Sequence, residues 1–298
     1  MVSKGMQRVI KILKRVQEIT REPTVEIIRN ALEQLGKMAG LPKDVNCEPV
    51  DAGGVPAEWI TTPNVNHDHV MLYLHGGGFI AGSIATHRDL IYRISRAAKI
   101  RMLAIDYRLA PEHPFPAGIS DSVAAYQWLI TNEKINPNNL IIGGDSAGGC
   151  LTLSTLVTLK EKGVSFPAAA VCLSPATDLA GTGESMTTKV DVDPFLSPEY
   201  AKLMTESYLG ETDPKDYLAS PLYADLKGLP PLFIQVGTSE MLLDDCTRFA
   251  ERAKKAGVDV TLDVWEDMIH VFAGVGASTP EGREAIEKIG NFIQKNLK

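Results

Sequence analysis

No stretch of this 298-residue chain approaches the roughly 18 uncharged apolar residues of a membrane span. The amino-terminal MVSKGMQRVIKILKR threads Lys and Arg through its apolar residues and never offers a signal-peptide core. The expectation is a soluble, cytoplasmic protein without stable membrane insertion. Cysteine is scarce: Cys47, Cys150, Cys172 and Cys246 stand far apart, with no C-x-x-C pair. That spacing excludes a zinc finger and makes reduced, mostly buried thiols the expected state. Positive charge is in short supply too. Thirty-seven acids against thirty bases leave a net charge of −7, a poor surface for gripping phosphate backbones, so nucleic acid is not expected as a partner. What remains is ordinary globular composition, 44% hydrophobic and 22% charged, which excludes a disordered chain.

The first forty residues carry two amphipathic helical patterns. Val9, Leu13, Val16 and Ile10 form the apolar stripe of the first. Val25, Ile28, Leu32 and Leu35 form that of the second, which starts at Pro23-Thr24 and ends at Gly36 and Gly40. Strand-like runs then appear at Val70–Leu74, Met102–Ile105, Leu140–Ile142, Ala168–Leu173, Leu232–Val236 and Val258–Val264. Helical patterns separate most of them, at Asp89–Ala97, Ile119–Ile130, Gly148–Lys162 and Leu242–Ala256, and another follows at Arg283–Asn296. Strands alternating with helices of this length predict an α/β fold, a mostly parallel central sheet flanked by helices. Between Pro175 and Pro230 the rhythm breaks, leaving one short helical piece near Ala201–Tyr208. The expected organisation is a core of residues 46–180 and 214–298 under a helical cap built from residues 1–45 and an insertion at 181–213.

An apolar strand runs straight into Gly144-Asp145-Ser146-Ala147-Gly148, and a helix follows at once. This is a G-x-S-x-G elbow in the context that gives it meaning, strand, tight turn, helix. The glycines keep side chains away from the neighbouring strand and helix, and the helix amino terminus favours developing negative charge at Ser146. A phosphate loop is excluded for want of Gly-Lys-Ser/Thr, and no G-x-G-x-x-G lies here. Upstream, His75-Gly76-Gly77-Gly78-Phe79 places three glycines directly after a strand, where backbone N–H groups can converge on one oxygen. Such an HGGG loop supplies part of an oxyanion hole in α/β-hydrolases, and the residue after the nucleophile, Ala147, supplies the rest.

A serine nucleophile needs a base, and the chain order in that fold is Ser, acid, His. Of six histidines only His270 lies downstream of Ser146. The acid belongs on the loop after Pro231–Val236, which reads Gly237-Thr-Ser-Glu240-Met-Leu-Leu-Asp244-Asp245. Position favours Glu240, with Asp244 as the alternative; glutamate can orient an imidazole as aspartate does.

With His75-Gly76-Gly77-Gly78-Phe79, Asp106-Tyr107-Arg108-Leu109-Ala110-Pro111-Glu112, Gly144-Asp145-Ser146-Ala147-Gly148-Gly149, Ser220-Pro221-Leu222 and Gly228-Leu-Pro-Pro231 in place, the chain resembles the bacterial hormone-sensitive-lipase-like carboxylesterases over essentially its whole length. The resemblance implies an α/β-hydrolase with Ser146 as nucleophile, His270 as base, and Gly77, Gly78 and Ala147 as the oxyanion hole. It implies a cap restricting the acyl pocket to short and medium chains, with Phe79, Tyr200 and Met204 as candidate lining residues. It implies no metal and no organic cofactor, a small ester as partner, and a homodimer through the last edge strand as an open option. Two positions depart from the family pattern. The acid slot holds Glu240-Met241-Leu242 where Asp-Pro-Leu is usual, with Asp244 at the Asp four residues later in that pattern, and Val271 follows the histidine where glycine is common.

Other features take plainer readings. His67-Asp68-His69 lacks further ligands at metal-binding spacing and reads as a solvated strand entry. His113 belongs to a Pro-rich loop, and the basic face of the first helix reads as the wet side of a cap helix. Asp145 steadies the elbow without reaching the imidazole. The rivals to an esterase are a lipase, lactone or amide hydrolase with the same residues, and a non-catalytic receptor of the gibberellin-receptor type, which lacks the histidine present here.

Overall fold

The computed structural model describes residues 2–19, 23–38, 40–275 and 279–298. Eight strands form one sheet: β1 (Asn46–Asp51), β2 (Pro56–Thr61), β3 (Asn66–Leu74), β4 (Ile100–Ile105), β5 (Leu140–Asp145), β6 (Ala169–Leu173), β7 (Leu232–Gly237) and β8 (Val260–Trp265). Their order is β1-β2-β4-β3-β5-β6-β7-β8. Pairings from β4 to β8 are parallel, whereas β2 runs antiparallel to both neighbours. The helices are α1 (Lys4–Ile19), α2 (Val25–Met38), α3 (Ile84–Ala98), α4 (Ala117–Thr131), α5 (Ala147–Glu161), α6 (Ser185–Thr188), α7 (Pro198–Leu209), α8 (Leu243–Lys255), α9 (Phe272–Val275) and α10 (Pro280–Asn296). Among the described residues no helix is long and apolar enough to cross a membrane.

The continuous apolar runs of β3, β5 and β6 follow from burial on both faces. Val70, Leu72 and Leu74 of β3 belong to one buried apolar cluster with Tyr126 of α4, Leu151 of α5 and Phe249 of α8. Met71 and Tyr73, one residue out of phase, pack with Ile91 and Ile94 of α3 and Ile289 and Ile293 of α10. Each of these large side chains, withdrawn from water, contributes about 1.5–3 kcal/mol before the cost of ordering it. Adjacent strands β3 and β5 send their chains to opposite faces, β3 into α3 and β5 into α5. A crevice opens where this happens, and it sets the loop after Leu74 beside the turn after Asp145.

The six strand runs expected from the sequence correspond to β3–β8. The hairpin β1–β2 was not anticipated. Its first strand, NCEPVD, lies on the exposed edge and carries Pro49, Asn46 and Asp51, residues that are depleted in strands and give no alternation. The hairpin is closed instead by its turn, where Gly54 N–H donates to Asp51 Oδ1 at 2.6 Å. Helix α3 starts at Ile84, earlier than the apolar pattern implied, because Ser83 and Thr86 form a capping box. Val16 and Leu35, expected to be buried, are 40% and 52% exposed. They line an apolar cleft between α1, α2 and Phe195 rather than the core.

Candidate active site

Ser146 sits between β5 and α5 with φ 52° and ψ −119°, a conformation L residues rarely adopt. Its amide donates to Leu173 O at 2.8 Å and its carbonyl accepts from Cys150 N at 3.0 Å, so both neighbouring elements hold the turn. A Cβ at Gly144 or Gly148 would strike the carbonyl oxygen of Leu74, and one at Gly149 would press on Pro175. The elbow therefore needs its glycines, for the steric reason the sequence suggested.

His270 lies on the loop after β8, with Nδ1 2.8 Å from Glu240 Oε2 and both side chains buried. Glu240 Oε1 accepts from Gly237 N at 2.6 Å and from Ser174 Oγ at 3.0 Å. With Nδ1 engaged, Nε2 is the nitrogen left for a reacting group, and His270 and Ser146 line the same cavity. Burial pushes the Glu240 carboxyl above its ordinary value, partly offset by the His270 bond. In His270 burial works against the cation, but the hydrogen bond and charge of Glu240 outweigh it, with Asp193 and Asp145 adding, and the imidazole is held above its usual 6.5. Asp244, the alternative acid, turns elsewhere: its Oδ2 accepts from Ser185 N at 2.9 Å, pinning α6 to α8.

Gly77, Gly78 and Phe79 have φ of 124°, 64° and 64°. The turn closes through Ile80 N and Ala81 N, which donate to Gly77 O at 3.3 and 3.0 Å. The N–H groups of Gly77, Gly78 and Ala147 enter no hydrogen bond among the described residues. All three residues line cavities that also contain Ser146. Unpaired donors gathered beside a serine hydroxyl are the kind of group that can take up negative charge on an oxygen.

Two cavities meet at Ser146. One of about 50 Å³ is walled by Phe79, Ala147, Met186, Met204 and Leu242. The other, about 420 Å³, is walled by Leu13, Leu32, His87, Phe195, Tyr200 and His270. Of the expected lining residues, Phe79 and Met204 face the small cavity and Tyr200 the large one. Phe79 also stacks on Tyr208 at 3.9 Å between centroids, and a Cβ at Gly78 would meet the Met204 sulfur.

Further residues hold this site, and two of them, Ser174 and Asp193, belong to no motif. Ser174, φ 46°, follows β6 and touches both Glu240 and the loop after His270, since its Oγ donates to Glu240 Oε1 and accepts from Val271 N at 3.2 Å. Val271 itself has φ 49°, which explains why glycine suits that position. Asp193 fastens the insertion to the acid loop by accepting Met241 N at 2.8 Å. Asp145 accepts from Tyr73 Oη at 2.7 Å and Gly76 N at 3.1 Å and lies 3.3 Å from His87 Nε2. It steadies the glycine loop, while the His270 Nδ1 bond goes to Glu240. Burial opposes its charge, but His87 and Tyr73 hold it below the usual carboxylate range. His69 meets the Lys298 carbonyl at 3.0 Å at the surface, and among the described residues no cluster of metal-ligating side chains forms.

A family model for the alpha/beta hydrolase fold matches residues 71–274. An acetyl-hydrolase of Streptomyces hygroscopicus is 42% identical over 273 residues, 92% of this chain and 89% of that protein. An esterase of Acinetobacter venetianus is 35% identical over 266 residues, 89% and 87% of the two chains. Among solved structures, an esterase from the bacterial hormone-sensitive lipase family superposes with a TM-score of 0.96 at 46% identity, covering all of both chains. A hormone-sensitive lipase from a metagenome library gives 0.93 at 36% identity, again over both whole chains.

Proposed function

The chain belongs to the alpha/beta hydrolase fold family, in its bacterial hormone-sensitive-lipase branch, and we propose that it hydrolyses short- to medium-chain carboxylic esters with Ser146, His270 and Glu240 as its reacting machinery. Its relatives are an acetyl-hydrolase and an esterase, and this protein is a carboxylic-ester hydrolase like them. One observation carries the residue assignment. Ser146, on a glycine-bounded turn, shares a cavity with an imidazole whose other nitrogen is tied to a buried carboxylate.

His270 Nε2 takes the Ser146 proton as Oγ adds to the ester carbonyl carbon. The carbonyl oxygen becomes an oxyanion beside the free N–H groups of Gly77, Gly78 and Ala147. Glu240 stabilises the imidazolium and fixes its tautomer. Collapse of the tetrahedral intermediate breaks the carbon–oxygen bond to the alcohol, which leaves with the proton from His270. Water, deprotonated by His270, then attacks the acyl-enzyme and regenerates Ser146.

The base must reach the departing oxygen, so the leaving alcohol occupies the His270 side, the 420 Å³ cavity. The acyl group is left with the 50 Å³ cavity, room for only a few carbons. This supports the short end of the chain range. The same reading makes residues 1–45 and 181–213 a cap over the core, since α1 and α2 wall the larger cavity and the 195–205 segment walls both. It keeps the protein in the cytoplasm, where its four free cysteines stay reduced, and leaves edge strand β8 as the place for a second copy to pair. No metal or cofactor enters the reaction as written. A panel of p-nitrophenyl esters of rising chain length, with Ser146→Ala as control, tests it: activity should peak at two to four carbons (about the volume of the small cavity) and vanish in the variant. A peak on long-chain emulsions would overturn the chain-length reading.

A further inference from the structure

Helix α2 of the cap sends one side chain into the loop that follows the glycine triplet. Arg29 Nε donates to Ile80 O at 2.7 Å and Nη2 to Ala110 O at 3.0 Å. The guanidinium is also forked on Glu112, with both N–O distances 2.7 Å. These contacts bear on the glycine turn from its exit. Ile80 donates its own N–H to Gly77 O, and Ala110 donates to Phe79 O at 2.9 Å. The four residues 77–80 belong to no regular helix or strand, and three of them have positive φ. Beyond the two bonds to Gly77 O that close it, the turn is fixed by such outside ties. A few residues on, Glu33 of α2 accepts from Ser83 Oγ at 2.7 Å, and a Cβ at Gly36 would press on the Thr86 backbone, so the helix lies directly on this segment.

We propose that Arg29 is a positioning residue for the oxyanion hole: by gripping Ile80 O and Ala110 O it fixes the turn that presents the Gly77 and Gly78 N–H groups to the substrate. The cap thereby completes the catalytic machinery as well as enclosing substrate. The ion pair with Glu112 is half-exposed, and exposed pairs contribute little to stability. Its role is to orient the planar fork so that Nε and Nη2 both meet carbonyls, which a lysine cannot do.

This inference rests on the serine-esterase reading above, and the test separates the two. Arg29→Met and Arg29→Lys are compared with wild type for kcat, KM, cooperative thermal unfolding and inhibition by a trifluoromethyl ketone. Ser146 Oγ adds to the ketone's carbonyl carbon as the serine proton passes to His270, and the broken C=O π bond leaves an oxyanion in the hole. A misplaced donor costs less than a deleted one, which removes about 10²–10³ in turnover. Arg29→Met should therefore lose about 10- to 100-fold in kcat with KM changed less than about threefold, and inhibitor affinity should fall in step with kcat/KM. Arg29→Lys should fall between the two. A purely structural tether would lower the melting temperature or raise KM while leaving kcat and inhibitor affinity intact, and that result overturns the proposal. If Arg29→Met does not fold, Arg29→Lys decides alone, and wild-type kcat in that variant counts against it. Failure of wild type to hydrolyse esters would instead remove the serine-esterase reading.

Discussion

Ser174 donates its hydroxyl hydrogen to Glu240 Oε1 at 3.0 Å while its oxygen accepts the Val271 amide at 3.2 Å. One side chain at the end of β6 thus holds the carboxylate and the loop of the histidine it orients. Strand registry produces this, since Leu173 pairs with Gln235 and Ser174 N donates to Gln235 O at 2.7 Å, which sets Ser174 beside the end of β7 and the loop that carries Glu240.

Ser174→Ala should lower kcat about 5- to 30-fold with little change in KM, and destabilise the fold by about 1–3 kcal/mol, the cost of an abandoned buried carboxylate oxygen and amide. Steady-state kinetics and denaturant unfolding measure both. Unchanged kcat would mean that Gly237 N–H alone suffices to place Glu240.

Glu240→Gln should reduce kcat by about 10³- to 10⁴-fold, because a neutral amide no longer favours the imidazolium or its tautomer. Asp244→Asn should keep kcat within several-fold and lower the melting temperature, since Asp244 anchors α6 through Ser185 N. The opposite pattern would reassign the acid.

The pH–rate profile carries the sign of the His270 shift. The imidazole must be neutral to take the serine proton, and Glu240 holds it above its ordinary 6.5. Hence kcat/KM should rise with pH through an acid limb centred above 6.5, and Glu240→Gln should move that limb to lower pH. Stability runs the other way. A raised folded-state value means that the His270–Glu240 contribution is fully present below about 6.5 and is lost as pH rises through the folded value. The pair stabilises least where the enzyme is most active. A limb that Glu240→Gln leaves unmoved would contradict this.

Val271, β-branched, sits at φ 49°, where side chains cost about 1–2 kcal/mol. Val271→Gly should exceed Val271→Ala in stability by about 1 kcal/mol, the reverse of the usual Ala-over-Gly order. Thermal melts of the two variants decide the point.

Met204 and Leu242 close the small cavity beside Ser146. Met204→Ala or Leu242→Ala should shift the preferred acyl chain upward by two or more carbons without a matching change in alcohol preference. Equal shifts on both sides of the ester would show that the two cavities are not divided as argued.

The parallel core was legible because β5, β6, β7 and the second half of β3 are buried on both faces and almost continuously apolar, while β1–β2 is set by a Gly-Gly turn and pairing that leave no pattern. The juxtaposition of Ser146, Glu240 and His270 was legible because the glycine-bounded elbow marks the first and the loops after β7 and β8 carry the other two. Ser174 could not, being one serine among many until β6 and β7 align. Arg29 lies far from Ile80 and Ala110 in sequence, and only tertiary packing reveals what it holds. Val16 and Leu35 fit the helical apolar stripe, yet that stripe faces a cleft as well as a core, a distinction periodicity cannot make.

The central claim is that one serine carries the chemistry. Treating the protein with a fluorophosphonate and mapping the adduct by peptide mass spectrometry tests it directly. The expected result is a single adduct on Ser146, loss of ester hydrolysis in step with labelling, and neither labelling nor hydrolysis in Ser146→Ala. Hydrolysis persisting in Ser146→Ala, or an adduct on another residue that tracks the lost activity, would contradict it.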